Sequence, residues 1–186
     1  MTAIIEGLRN SQELLAEWTN WSKAFDPYNE IFSESFSSAM KTIRNHLHKL
    51  ELIGLDNSDA IKFFMELAYT NQNNTENEYL YWDTLMTLGK IGANDPEVIN
   101  YLLNMINMGQ SFTHFKAMEA LRHSLHGNLL AIIVQGLKNY CQNRFEENTS
   151  YQVQAQLLLC YEILWHCSQK MSYPDFYRAW HGLTET

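Results

Sequence analysis

Apolar residues recur three and four positions apart along nearly the whole chain, the spacing that lines them up on one stripe of an α-helix. Ile4, Leu8, Leu15, Trp18 and Phe25, with Ser11 and Ser22 between them, form the first stripe. Asp26-Pro27 ends it, because proline pushes its predecessor out of helical backbone geometry. Phe32, Phe36, Met40, Ile43, Leu47 and Leu50 mark a second, longer helix that stops near Gly54. Asp56-Asn57-Ser58-Asp59 then offers capping side chains to a third, with Ile61, Phe64, Met65 and Ala68 on one face. Thr70 to Asn77 is the most polar run in the sequence and predicts an exposed loop.

After that loop the helices come in pairs. Tyr81, Leu85 and Leu88 mark one that stops around Gly89-Lys90-Ile91-Gly92, and Asn94-Asp95-Pro96-Glu97 caps the next. The inner face of that helix is Val98, Ile99, Leu102, Leu103 and Ile106. A turn near Met108 to Ser111 leads to a helix expected to bury Phe112, Phe115, Leu121 and Leu125. His126-Gly127-Asn128 turns the chain into Leu130, Ile133, Val134, Leu137 and Cys141. The polar stretch Gln142 to Ser150 separates these from Leu157, Leu158, Tyr161, Leu164 and Trp165. Tyr173-Pro174-Asp175 opens a short last helix. No segment sustains a period of two, and no Asn-Gly or Asp-Gly hairpin joins alternating runs. The fold class predicted is all-α.

Composition fixes the scale. The chain has 186 residues, of which 46% are apolar and 13% aromatic, enough to bury the core of a single domain spanning 1–186. A sub-boundary at 71–78 would separate N-terminal helices in 1–70 from a repeat region in 79–186. The net charge of −8 argues against a nucleic-acid or anionic-membrane surface, which calls for excess Lys and Arg. No run reaches the ~18 to 20 apolar residues of a membrane span. Met1-Thr2-Ala3-Ile4-Ile5-Glu6 lacks the basic start and apolar run of a signal peptide. Cys141, Cys160 and Cys167 are an odd, sparse set and read as reduced, packed thiols, so a cytoplasmic location is expected.

The paired helices carry internal similarity. Trp82-Asp83-Thr84-Leu85-Met86-Thr87-Leu88 aligns with Phe115-Lys116-Ala117-Met118-Glu119-Ala120-Leu121, and more weakly with Val153-Gln154-Ala155-Gln156-Leu157-Leu158-Leu159. Leu85 to Gly92 followed by Asp95-Pro96-Glu97-Val98 resembles the short HEAT repeats of bacterial proteins. That resemblance implies an α-solenoid of stacked antiparallel helix pairs, here preceded by a longer N-terminal pair. A second resemblance lies in Tyr161 to His181, where Trp165-His166-Cys167 is followed by Tyr173-Pro174-Asp175-Phe176-Tyr177-Arg178-Ala179-Trp180. This string is similar to the closing helical segment of bacterial NACHT-family NTPases. Together the two cover residues 79–181. The phosphate-binding loop of such an NTPase, Gly-x4-Gly-Lys-[Ser/Thr], is not matched: Gly89-Lys90-Ile91-Gly92 lacks both the upstream glycine and the hydroxyl residue. The resemblance therefore implies a sensor or scaffold part without the ATPase.

Candidate chemistry is thin. His46 and His48 diverge on their helix, and His123 and His126, three apart, have only His114 and Glu119 as possible helpers for a metal. His166 and Cys167 are adjacent and point about 100° apart, so they do not face one another as base and nucleophile. Cys160 and Cys167 share a face with Leu164 and read as core thiols. Glu76, Glu78, Glu146 and Glu147 sit in polar stretches without histidine or apolar surroundings and read as solvated charge. Neither a catalytic residue, a metal site nor a cofactor is expected. Trp165, Tyr173, Phe176, Tyr177 and Trp180 are instead a candidate aromatic cluster, either capping the last repeat or binding a protein partner.

These readings point to a non-enzymatic protein–protein interaction, sensor or scaffold module, without nucleic-acid or membrane partners. Residues 1–70 could support homo-oligomerisation. The alternative is a factor similar to the HEAT-repeat bilin lyases, which requires a chromophore-sized groove lined by residues such as Tyr101, His114, His123 and Trp165.

Overall fold

The computed structural model describes residues 55–72, 78–108, 111–145 and 151–182, with Lys41, Asn45, Leu47, His48, Lys49, Glu51 and Leu52 before them. The first predicted stripe, most of the second and the core of the polar loop therefore lie outside the described residues.

Among the described residues, Lys41, Asn45, Leu47, His48, Lys49, Glu51 and Leu52 are helical, and from Ser58 on seven α-helices follow one another: α1 Ser58–Asn71, α2 Glu78–Ile91, α3 Pro96–Met108, α4 Ser111–Leu121, α5 Leu130–Phe145, α6 Tyr151–Lys170 and α7 Tyr173–His181. Two 3-10 turns, Arg122–Ser124 and Gly127–Leu129, link α4 to α5. There is no strand among the described residues, so the chain is all-α. The starts are set by the predicted caps. Asn57 Oδ1 accepts from the Ala60 amide at 3.0 Å, and Asp95 Oδ1 accepts from that of Glu97 at 2.8 Å. Each satisfies a donor that the first helical turn leaves unpaired.

Successive helices pack on one another except α4 and α5, which the two 3-10 turns separate, and from α2 onward each helix also packs on the next but one. α2, α4 and α6 follow one another in one layer, and α3, α5 and α7 in the other; α1 covers the open side of α2. This contact order is compatible with helix pairs stacked in series. Two glycines set the spacing between layers' neighbours. A Cβ on Gly89 of α2 would lie 2.2 Å from the Ala120 carbonyl oxygen of α4, so backbone meets backbone there. A Cβ on Gly136 of α5 would instead lie 2.6 Å from the Leu103 side chain of α3.

The core runs between the layers through Leu85, Leu88, Ile99, Leu102, Met118, Leu121, Ile133, Val134 and Leu137, all fully buried. The segment before α1 is tied to the α2–α3 turn. Lys90 Nζ pairs with Glu51 at 3.0 Å, the Asp56 amide donates to Ile91 O at 2.9 Å, and Asn94 Nδ2 donates to the Asp56 carboxylate.

Three sequence expectations change. Phe112 is half exposed and Phe115 half-buried, while His114, Ala117, Met118 and Ala120 are buried in their place. Gly89 of α2 meets the α4 backbone at Ala120, so that side of α4 is the one turned inward. α5 runs on through Gln142 to Phe145, the start of the stretch read as a polar connection. The third repeat copy is also displaced by one residue. Gln156, Leu159, Cys160 and Ile163 take the burial of Ala117, Ala120, Leu121 and Ser124, one position later than the aligned motif implies.

Candidate functional site

Tyr151, Leu158, Tyr161 and Trp165 fall within about 80° of arc on α6, at 100° per residue. All four are exposed, Tyr151 by 86% and Trp165 by 69%. Their flanks are Gln154, Ala155, Glu162, His166 and Gln169, also exposed, so the face carries a single carboxylate. The opposite face of the same helix holds Gln156, Cys160, Ile163, Leu164 and Cys167 in the core. Even the one polar group on that inner face is satisfied: Tyr140 Oη donates to Gln156 Oε1 at 3.0 Å. The outer position of α4 looks different, since there Lys116 pairs with Glu119 at 2.7 Å and lies 5.7 Å over the Phe115 ring.

α7 divides the predicted aromatic cluster. Ser172 caps the helix by accepting from the Asp175 amide at 3.3 Å, Pro174 occupies its first turn, and Gly182 closes it in the left-handed conformation at φ +67°. Four-residue spacing then puts Phe176 and Trp180 on the inner side, partly buried and stacked with centroids 6.3 Å apart. Tyr173, Tyr177 and His181 lie on the outer side, with ring centroids at 6.1 and 4.2 Å. Among the described residues, no ring contact joins Trp165 to this group. The five residues thus separate into a packed pair, Phe176 and Trp180, and three exposed rings, Trp165, Tyr173 and Tyr177. Sequence reasoning missed Tyr151, Leu158 and Tyr161 as parts of an exposed face. The seven-residue spacing of Tyr151, Leu158 and Trp165 was the available signal.

An open groove of about 650 Å³ separates the start of α5 from α7, lined by Asn128, Leu130, Gln135, Lys170, Asp175 and Arg178. Its charges are engaged internally. Lys170 Nζ donates to Leu125 O at 2.8 Å, and Arg178 pairs with Asp175.

The residues weighed for a metal or a chromophore are dispersed. His114 is buried edge-on to Tyr140, whereas His126 Nε2 lies 2.8 Å from Asn94 Oδ1 on the surface. His123 is largely exposed, and partial screening of its ring from water, followed by the nearby Lys90 charge, holds its pKa below the ordinary value. Glu119 is occupied by Lys116. Among the described residues no three His, Cys, Asp or Glu side chains converge on a point. Tyr101 is buried, its hydroxyl 3.4 Å from that of Tyr81, and burial raises the pKa of both. Tyr101 and His114 inside, with His123 and Trp165 outside, do not line a common groove.

The three cysteines are buried and free. Cys141 of α5 and Cys160 of α6 bring their Sγ atoms to 2.9 Å. The hydrogen bond from Cys160 lowers the pKa of Cys141 and raises that of Cys160, while burial pushes Cys167 up to about 11. The sequence placed all three in the core, and only the packing of α5 on α6 pairs two of them.

Residues 155–181 match the family described as NACHT C-terminal Cysteine and Histidine-containing. The match takes in most of α6 and all of α7, and includes Cys160, His166, Cys167 and His181. The C-terminal segment of the chain is therefore similar to the C-terminal region of NACHT-family proteins. Its cysteines and histidines do not cluster, for Cys160 and Cys167 face the core and His166 and His181 face solvent. No curated protein and no solved structure matches the chain.

Proposed function

We propose that this chain is a non-enzymatic interaction module, a recognition or scaffold part associated with NACHT-type signalling, that engages a protein partner through the exposed aromatic face of α6 and α7. The observation that carries this reading is the row Tyr151, Leu158, Tyr161 and Trp165 standing in solvent on a helix whose other side is fully packed. Contiguous exposed apolar surface of this kind marks interaction sites, and Trp and Tyr supply most of the binding energy at such sites. The match at 155–181 falls on the same two helices. Gly89-Lys90-Ile91-Gly92 offers no phosphate cradle, because Gly89 is already pressed against the Ala120 backbone. A nucleotide switch would belong to a partner. The net charge of −8 favours a partner with a basic surface around its apolar contact.

Affinity capture with the intact chain, the Leu158→Ala/Trp165→Ala variant and the Tyr173→Ala/Tyr177→Ala variant tests the reading. A partner held by the wild type should be lost from at least the first variant, with both variants melting as the wild type does. Recovery of the same partner by both variants would move the interaction off this face.

A further inference from the structure

The seam between α5 and α6 holds two thiols closer together than packing alone requires. Cys141 and Cys160 face each other with Sγ atoms 2.9 Å apart, less than an ångström beyond the ~2.05 Å of a formed disulfide. The two helices that carry them are already packed side by side. Beyond its partner sulfur, Cys160 Sγ has the Leu137 carbonyl oxygen at 3.8 Å. Among the described residues no third ligand is gathered there that would make the pair part of a metal site.

We propose that Cys141 and Cys160 form a modification site, an intramolecular dithiol that a hydroperoxide converts to a disulfide tying α5 to α6. Cys141 reacts first. With Cys160 as the donor across the 2.9 Å contact, the Cys141 thiolate is the favoured one. It is also 3% exposed against 0% for Cys160, and lies one turn before the end of α5 at Phe145. The Cys141 sulfur attacks the outer peroxide oxygen. The O–O bond breaks, and the alkoxide or hydroxide released takes up the proton that Cys141 lost on ionising, leaving Cys141 as a sulfenic acid. Cys160 sulfur then attacks the sulfenic sulfur, the S–O bond breaks, and the departing hydroxide takes the Cys160 proton to leave as water. The two sulfurs lose two electrons in all, and the peroxide gains them. Cys167 is two turns further along α6, buried and without a facing thiol, and serves as an internal reference.

The test treats the full chain with hydrogen peroxide, blocks remaining thiols, and maps peptides without reduction. The free thiol count should fall from three to one, with the Cys141 and Cys160 peptides joined and lighter by two hydrogen atoms. The melting temperature should rise by roughly 5 °C, and dithiothreitol should reverse both changes. Cys160→Ser should stop at a Cys141 sulfenic acid that dimedone traps. Three free thiols after exposure, a linkage involving Cys167, or a crosslink between chains would each overturn the proposal. If the serine variant fails to fold, the wild-type peptide map still decides.

Discussion

Single residues do opposite kinds of work in this molecule, and their substitution should show it. Gly89→Ala drives a methyl group into the Ala120 carbonyl, which is backbone and has no easy way to yield. The expected loss is about 1–3 kcal/mol by urea denaturation, despite the better helix propensity of alanine. Tyr140→Phe removes the hydroxyl donated to buried Gln156 and should cost about 1 kcal/mol in the same assay. His123 gives a pH signature. Its folded pKa is held down by burial and by Lys90, so below about pH 6.5 the unfolded chain takes up a proton that the folded chain still refuses. Stability from this group is therefore lost as pH falls through the window between the folded value and about 6.5. The urea midpoint should drop as the pH is lowered through about 6.5, and His123→Gln should shrink that drop. The sequence showed His123 as a helix-end histidine; the neighbours that set its pKa come from Lys90 on α2, and spacing along the chain does not reveal them.

At the scale of elements, the helix count and most boundaries from Asn57 onward were legible, because caps and prolines act within a few residues. Asn57, the Asp95-Pro96 start and the Ser172 to Asp175 opening behave as local rules say they should. The faces were less legible. A helix with apolar residues on more than one side leaves its orientation to its neighbours, and α4 resolved this against Phe112. The C-terminal aromatic cluster shows the same thing, because adjacent rings in sequence alternate between core and solvent. Trp180→Ala should therefore destabilise the chain by about 2 kcal/mol, whereas Trp165→Ala should stay within about 0.5 kcal/mol of wild type. Thermal melts of the two variants side by side check the division. Equal losses would mean that Trp165 is packed after all.

For the whole molecule, the family match at 155–181 falls on the last two described helices, α6 and α7, which pack on the helices before them. The inner residues of α6 are buried against α4 and α5, and α7 packs chiefly on α5. A peptide of residues 151–186 should consequently be largely unstructured by circular dichroism, since α6 and α7 cannot bury those faces alone. A helical, cooperatively melting peptide would show that the segment folds independently. The exposed row on α6 is a property of the assembled layer too. It stands on the last helix of the layer formed by α2, α4 and α6, which no described helix follows.

The sequence by itself determined the all-α class, the caps, the turns and the burial of all three cysteines, because periodicity and capping are encoded over one or two helical turns. Its C-terminal string also carried the likeness to NACHT-family C-terminal regions. Only the tertiary structure decided which side of α4 faces inward, which aromatic rings stay in solvent, and that Cys141 meets Cys160. Those outcomes depend on how closely two helices approach, and the approach is set by contacts such as Gly89 on Ala120 between residues far apart in the chain.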